Sequence, residues 1–250
     1  MTLSVVCMKW GTKYGPHYVN RLFKGVRRWV NQDFRFICFT DDANGILSEV
    51  EVRELPSEPF DEAIDFGMNK AGRKGAWKKI SLFRPGLADI DGVVLGFDLD
   101  VLITGPLDPI ITHAPGSVVM RREWRYEWQG REGGHGSVFR FQPSEHSFLY
   151  NDFANDPLAA INSHKGSEQY YTSMTALKHG ALKYLPGSLV CSFKRNAMPS
   201  FPLNFALKPQ LPKDCRVLCF HGNPSIEEAI AGHSKSIRNY CRASEWLKDY

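Results

Sequence analysis

The first forty residues alternate between strand and helix patterns, and this order limits the possible folds more than any other feature. An apolar run, Leu3–Met8, leads through a turn to a helix that opens at Pro16, where the missing proline N–H is harmless. A second apolar run, Phe34–Thr40, follows. Apolar residues recur at helical spacing between the two runs, at Tyr18, Val19, Leu22, Phe23, Val26, Trp29 and Val30. This order predicts a parallel sheet with helices on its faces.

The remaining patterns extend the same architecture. We predict a loop up to about Lys74 and a C-terminal helix that starts from a capping box, Ser225 to Glu228. The predicted further strands are Val50–Leu55, a strand ending at Asp98, Ser117–Met120, Ser137–Phe141, Leu182–Leu185, Ser188–Ser192 and Arg216–Phe220. The predicted further helices are Ala76–Phe83, one starting at Ser144, and Ser167–His179. A chain of 250 residues without an internal repeat fits one α/β domain.

Composition excludes several classes of protein. The hydrophobic fraction of 43% and charged fraction of 23% exclude a disordered chain, a fibre and a disulfide scaffold. No apolar run is long enough to span a membrane, and the first residues do not resemble a secretory signal. The net charge of +4 is too small to indicate nucleic-acid binding. Six cysteines without a C-x-x-C pair favour reduced thiols and a cytoplasmic location, with contact at the inner face of a membrane left open.

Two carboxylates stand at the end of an apolar strand. Asp98 and Asp100 come after the run Gly92–Phe97, and alternation along a strand would point both the same way, with Leu99 turned inward. Such a pair repels unless a cation joins it, and Mg²⁺ or Mn²⁺ prefers oxygen ligands of this kind. His221 also follows an apolar strand directly, and is a candidate third ligand that would favour Mn²⁺.

The chain resembles bacterial glycosyltransferases of family-8 type, which have the GT-A fold. The resemblance spans about residues 3 to 230, with its blocks in the order found in that family. The blocks are Lys9-Trp-Gly-Thr-Lys-Tyr-Gly15; Cys38-Phe-Thr-Asp-Asp42; Trp77-Lys-Lys-Ile-Ser-Leu-Phe83 with Phe97-Asp-Leu-Asp-Val-Leu-Ile103 and Gly105-Pro-Leu-Asp108; and Phe220-His-Gly-Asn-Pro224. The resemblance implies a GT-A-like single domain over 1–250. Residues 1–110 would form a nucleotide-binding half, 111–222 a sugar and acceptor half, and 223–250 a C-terminal helical segment.

The resemblance also implies roles for individual residues. Asp98, Asp100 and His221 would hold a divalent metal, Mn²⁺ or Mg²⁺, on the diphosphate of a nucleotide-sugar donor. Glu168 and Gln169 resemble an acidic-Gln pair near the reacting carbon, although Glu168 also suits a helix first turn. The donor itself would contact Trp10, Thr12, Tyr14, Asp41, Asp42, Lys78, His135, Gly136 and Ser137. Tyr14 and Lys78 also fit a turn aromatic and a solvated helix lysine.

The sequence departs from the family pattern at two points. A lysine usually follows the His-Gly element, but Ser225 stands near that place and the next lysine is Lys235. Lys78, Lys79 or Arg84 are candidates to supply this charge. Tyr170 replaces the second acid of the family's acidic-Gln-acidic triplet.

The expected reaction transfers a sugar from a nucleotide donor. The family resemblance implies that the nucleotide is UDP and that the anomeric configuration is retained. The acceptor would be a saccharide or lipid-linked sugar of bacterial cell-surface polysaccharide or lipopolysaccharide. Trp124, Trp128 and Arg125 are the candidate acceptor contacts, since aromatic faces pack on sugar rings; an amphipathic surface segment is the alternative. Lys235–Lys248 suits a membrane surface or a packed helix. A sugar nucleotidyltransferase, a metal phosphohydrolase and a non-catalytic nucleotide-sugar binder stay open as other functions.

Overall fold

The computed structural model describes residues 2–70, 76–164, 166–232, 237 and 240–250. Its main element is a seven-stranded sheet in the order β3-β2-β1-β4-β7-β6-β8. These strands are β1 Leu3–Lys9, β2 Phe34–Thr40, β3 Glu51–Glu54, β4 Val93–Phe97, β6 Val118–Arg122, β7 Gly134–Phe141 and β8 Leu182–Tyr184. The adjacent strands β3, β2, β1 and β4 all run parallel to one another. The strand β7 runs antiparallel to both β4 and β6, and β8 runs parallel to β6. The predicted mostly parallel α/β fold is confirmed.

A smaller sheet lies beside the carboxyl end of β4. It consists of β5 Val101–Ile103, β9 Val190–Ser192 and β10 Val217–Cys219, in the order β5-β10-β9. The strand β10 pairs antiparallel with β5 and parallel with β9. The sequence pattern predicts β9 and β10 but not the separate strand β5.

Helices cover both faces of the large sheet. They are α1 Pro16–Trp29, α2 Asp61–Lys70, α3 Asp108–Ile111, α4 Trp124–Glu127, α5 Phe148–Asn155, α6 Pro157–Ser163, α7 Glu168–Lys178 and α8 Ile226–Ala231. Short 3₁₀ helices include Trp77–Phe83 and Glu245–Asp249. None of the helices within the described ranges is long and apolar enough to cross a membrane.

Alternation along β1 divides the core into two layers. Leu3, Val5 and Cys7 pack on one face with the apolar stripe of α1, while Val6 and Met8 pack on the other with α2 and α5 to α7. All six cysteines are buried thiols without disulfides. Burial on both faces explains why the strands β1, β2 and β4 are almost wholly apolar.

One local prediction is wrong. The stretch expected to be a loop contains α2, which packs against α6 through Gly67, where a Cβ would lie 3.0 Å from Ile161. Its glycine and its Pro-rich approach hide the helix from a pattern search, since packing against neighbouring helices stabilises it. The predicted helix over Ala76–Phe83 is present as a 3₁₀ helix, Trp77–Phe83. In the C-terminal segment the capping box of α8 is present as predicted, and Lys74 and Lys235 lie outside the described residues.

Candidate functional site

A cleft opens at the carboxyl ends of β1 and β4, where open α/β sheets bind ligands. Its cavity has a volume of about 400 Å³. The lining residues are Met8, Trp10, Lys13, Tyr14, Ala76, Lys79, Asp98, Leu99 and Asp100. Four of the predicted site residues, Trp10, Tyr14, Asp98 and Asp100, therefore share one cavity.

The two aspartates leave the sheet at the centre of this cleft. The strand β4 ends at Phe97, so Asp98 to Asp100 form a bend and not the expected strand end. The Asp98 N–H donates to the Ser137 carbonyl of β7 at 3.0 Å, and Leu99 is buried. Both aspartates line the cavity, and Leu99 between them lines it as well.

Each aspartate has its own hydrogen-bond partners. The Asp98 carboxylate forms an ion pair with Lys79 and accepts a bond from the Ser137 hydroxyl at 3.2 Å. The Tyr14 hydroxyl donates to Asp100 at 2.8 Å. Burial, followed by the negative charge of Asp98, raises the pKa of Asp100 to about 6, although Tyr14 opposes the shift. The pair is thus under charge repulsion that an added cation would relieve.

Lys79, rather than Lys78, reaches the cleft. A 3₁₀ helix repeats every three residues, so Lys79 shares a face with Ala76, and both line the cavity while Lys78 is exposed. Burial by itself lowers the pKa of Lys79, but Asp98, Glu168 and Asp100 together raise it above its ordinary value. Arg84, another candidate charge, pairs with Glu58 at 3.0 Å. A three-residue period would have singled out Lys79 in the sequence.

The first turn is tied to the end of β2. The Gly11 N–H donates to Asp41 at 2.8 Å, and Lys9 donates to the Asp42 carbonyl at 3.1 Å. Asp41 therefore positions the turn that carries Trp10 and Tyr14. Thr12 is exposed and does not line the cavity.

The predicted sugar side is assembled from β7 and the start of α7. The Gly136 N–H donates to the Gln169 side-chain oxygen at 3.0 Å, and a Cβ on Gly136 would lie 3.1 Å from Gln169. Glu168 is buried and accepts from the Thr172 hydroxyl at 3.0 Å. Burial raises the pKa of Glu168, and the nearby charge of Lys79 acts against this rise. Lys79 is thus charge-coupled to both Asp98 and Glu168.

His135 and His221 form an aromatic group with Trp124. The His221 ring stacks on Trp124 at a centroid distance of 4.9 Å, and His135 lies 5.2 Å from His221. Burial, with smaller effects from neighbouring charges, lowers the pKa of His135 to about 3 and that of His221 to about 4. Both rings are therefore neutral near pH 7, the form that binds metal ions.

The predicted metal ligands fit a divalent ion in part. Asp98 and Asp100 supply the oxygen pair, and the buried Nε2 atom of His221 has no hydrogen-bond partner in the described residues. Yet no three or more His, Cys, Asp or Glu side chains lie close enough together to hold a metal ion, within the described residues 2–70, 76–164, 166–232, 237 and 240–250. The two carboxylates therefore fit an ion that takes further ligands from phosphate and water, and His221 is not gathered with them in this structure.

The predicted acceptor residues occupy different environments. Trp124 is 4% exposed, and its ring is covered by His221. Trp128 is 74% exposed, and Arg125 is exposed one turn earlier. Tyr170, which stands in place of an acid, packs 6.2 Å from Tyr126. A ligand can reach Trp128 and Arg125 directly, whereas Trp124 supports His221.

No protein-family model and no curated protein matches the sequence. Solved structures do match. The chain is similar to an active-site variant of LgtC, with a TM-score of 0.60 and 15% identity, over 89% of this chain and 89% of that one. It is also similar to the galactosyltransferase LgtC in complex with donor and acceptor sugar analogues, with a TM-score of 0.55 and 15% identity, over 98% and 94% of the two chains. At this identity the likeness shows that the fold is shared.

Proposed function

We propose that the protein is a glycosyltransferase that transfers a sugar from a nucleoside diphosphate donor to an acceptor hydroxyl. The observation that carries the proposal is the pair Asp98 and Asp100 facing one cavity beside Lys79. The fold is shared with a galactosyltransferase crystallised with donor and acceptor analogues. The same proposal includes UDP as the nucleotide and retention of the anomeric configuration. It also includes an acceptor from cell-surface polysaccharide or lipopolysaccharide.

Binding of the donor would use both ends of the cleft. Trp10 and Tyr14 lie where a nucleoside can pack on aromatic faces, and Asp41 fixes their turn. Lys79 lies where the diphosphate would approach Asp98. The sugar would then lie toward Gly136. A side chain at position 136 would crowd Gln169, which accepts a hydrogen bond from the Gly136 N–H.

The reaction breaks the bond between the anomeric carbon and the diphosphate oxygen, which keeps the electron pair. The acceptor hydroxyl oxygen forms the new bond to the anomeric carbon, and its proton passes to the leaving diphosphate or to water. Asp98 and Asp100 would hold Mn²⁺ or Mg²⁺, with His221 as a further proposed ligand; when bound, the ion supplies positive charge to the leaving diphosphate. Lys79 adds a fixed positive charge next to it, and this stabilises charge where it develops.

We propose roles for two residues at the start of α7. The Gln169 amide is held by the Gly136 N–H, so its position is set by the backbone of β7. Glu168 is buried beside it and is close enough to be influenced by Lys79. We assign Gln169 to orienting the sugar and Glu168 to keeping Lys79 charged and in position.

Ligand-dependent melting tests the proposal. With UDP and Mn²⁺ together at about 100 times the dissociation constant, we expect stabilisation of about 2.7 kcal/mol and a rise in Tm of about 5–10 °C. Either ligand alone should give much less, and Asp98→Asn should abolish the rise. Asp65→Asn, an exposed aspartate of α2, is the matched control and should keep it. An equal rise in Asp98→Asn would refute the assignment.

Product analysis then separates the alternatives. A glycosyltransferase should slowly hydrolyse a UDP-sugar to UDP and free sugar in the presence of Mn²⁺. A nucleotidyltransferase would instead release pyrophosphate from a nucleoside triphosphate and a sugar phosphate. Binding without either product would indicate a non-catalytic nucleotide-sugar binder.

A further inference from the structure

A pair of basic residues follows β9 at the edge of the small sheet. Lys194 and Arg195 follow this strand after Phe193, and His221 and Gly222 follow its parallel neighbour β10 after Phe220. The register pairs Cys219 with Ser192, so the chain places Lys194 beside His221. A Cβ placed on Gly222 would lie 3.7 Å from the Lys194 ammonium nitrogen. The lysine therefore reaches the chain directly after His221.

The same edge carries Asp100. Phe220 donates its N–H to the Asp100 carbonyl at 2.8 Å, and the Phe220 ring stacks on Phe193 at 4.8 Å. Neighbouring strands lie about 4.8 Å apart, so Phe193, Phe220 and Asp100 form a row about 10 Å long. Lys194, one residue beyond this row, therefore borders the edge from which Asp100 enters the cleft.

Among the described residues, the basic pair lacks a neutralising acid. In the ranges that the structure describes, no carboxylate lies within 4.0 Å of the Lys194 or Arg195 side-chain nitrogens. Burial, and next the charge of Arg195, lowers the pKa of Lys194. A half-buried ammonium beside a second cation is unfavourable by itself, so an anion bound there would be stabilised.

The segment that carries the pair is well ordered by its own hydrogen bonds. Phe193–Ala197 forms a π-helical turn, a geometry frequent at functional sites. The Ser192 N–H donates to the Asn196 side-chain oxygen at 2.8 Å, and the Arg195 N–H donates to the Ser192 hydroxyl at 3.3 Å. Lys194 is thus presented from a fixed backbone.

We propose that Lys194, with Arg195 beside it, binds the terminal phosphate of the nucleoside diphosphate held at Asp98 and Asp100. This inference rests on the proposed function, and it names a second cation, from a different element than Lys79. The sequence contains no lysine or arginine between His221 and Lys235, so the proposed positive charge at this end of the site comes from the turn after β9. Charge-assisted N–H bonds to phosphate oxygens are the expected contacts.

Calorimetric titration of the full chain with UDP and with UMP, both with Mn²⁺, tests the proposal. In Lys194→Gln we expect UDP to bind about tenfold more weakly, the value of one charge-assisted bond, while UMP binding changes by less than about twofold. Lys194→Arg keeps the charge and should bind UDP within about threefold of the wild type. Lys24→Gln, at an exposed position of α1, is the control and should leave both affinities unchanged.

The outcomes separate this inference from the proposed function. Unchanged UDP affinity in Lys194→Gln overturns the role of Lys194 and leaves the proposed function intact. Equal loss of UDP and UMP affinity also overturns it, because the residue then supports the nucleoside or the fold. A wild type that binds no UDP overturns the proposed function and this inference together.

Discussion

Replacing Asp100 with asparagine should stabilise the protein at neutral and alkaline pH while it removes activity. The folded structure raises the pKa of Asp100 from 3.8 to about 6, so its charged form is disfavoured on folding. A shift of this size corresponds to about 2–3 kcal/mol. Because the folded pKa is the higher one, the penalty is absent below pH ~4 and complete above pH ~6. Asparagine avoids the charge and can still accept from the Tyr14 hydroxyl.

Urea denaturation without metal measures this effect. We expect Asp100→Asn to be more stable than the wild type by about 2 kcal/mol at pH ~8, and by less than about 1 kcal/mol at pH ~4. Taking the difference between the two proteins cancels the titration of groups that do not interact with Asp100. Asp65→Asn should show no such pH dependence, since Asp65 is exposed. A pH-independent difference, or a less stable Asp100→Asn at pH ~8, would refute the reasoning.

Two further substitutions test the site and the sheet beneath it. Lys79→Met should lower the rate of donor hydrolysis about 100-fold, because it removes the partner of Asp98. Lys78→Met, at the neighbouring exposed position, should change the rate less than about twofold. Similar rates in the two variants would contradict the assignment. Gly96→Ala should cost about 1–3 kcal/mol in urea denaturation, because the new Cβ would overlap the Phe139 ring. In a Phe139→Ala background that cost should largely disappear, and a cost that persists would count against this explanation.

Much of the sheet was predictable because its signals are local. The observed β2 has the predicted bounds Phe34–Thr40, and α1 opens at Pro16 as expected. Burial on both faces of β1 and β2 makes these strands almost wholly apolar, and that pattern is read directly from the residues. The position of Asp98 and Asp100 at the cleft was predictable for the same reason, since they directly follow a buried strand.

Other features depend on contacts between distant segments. The helix α2 packs on α6, and the Pro-rich stretch before it favours a loop in the sequence pattern. The 3₁₀ period that selects Lys79 over Lys78 follows from how Trp77, Ile80 and Phe83 fit the core. The stacking of His221 on Trp124 joins residues almost one hundred positions apart, and no local pattern encodes it.

The amino-acid sequence alone determined the order of strands and helices and the strand end at which two carboxylates meet, because hydrophobic periodicity and turn chemistry act over a few residues. The tertiary structure decided that Lys79 pairs with Asp98 and that Lys194 lies beside Gly222. The physical reason is that charge complementarity depends on distance in space, and strand pairing between β5, β9 and β10 brings together residues far apart in the chain.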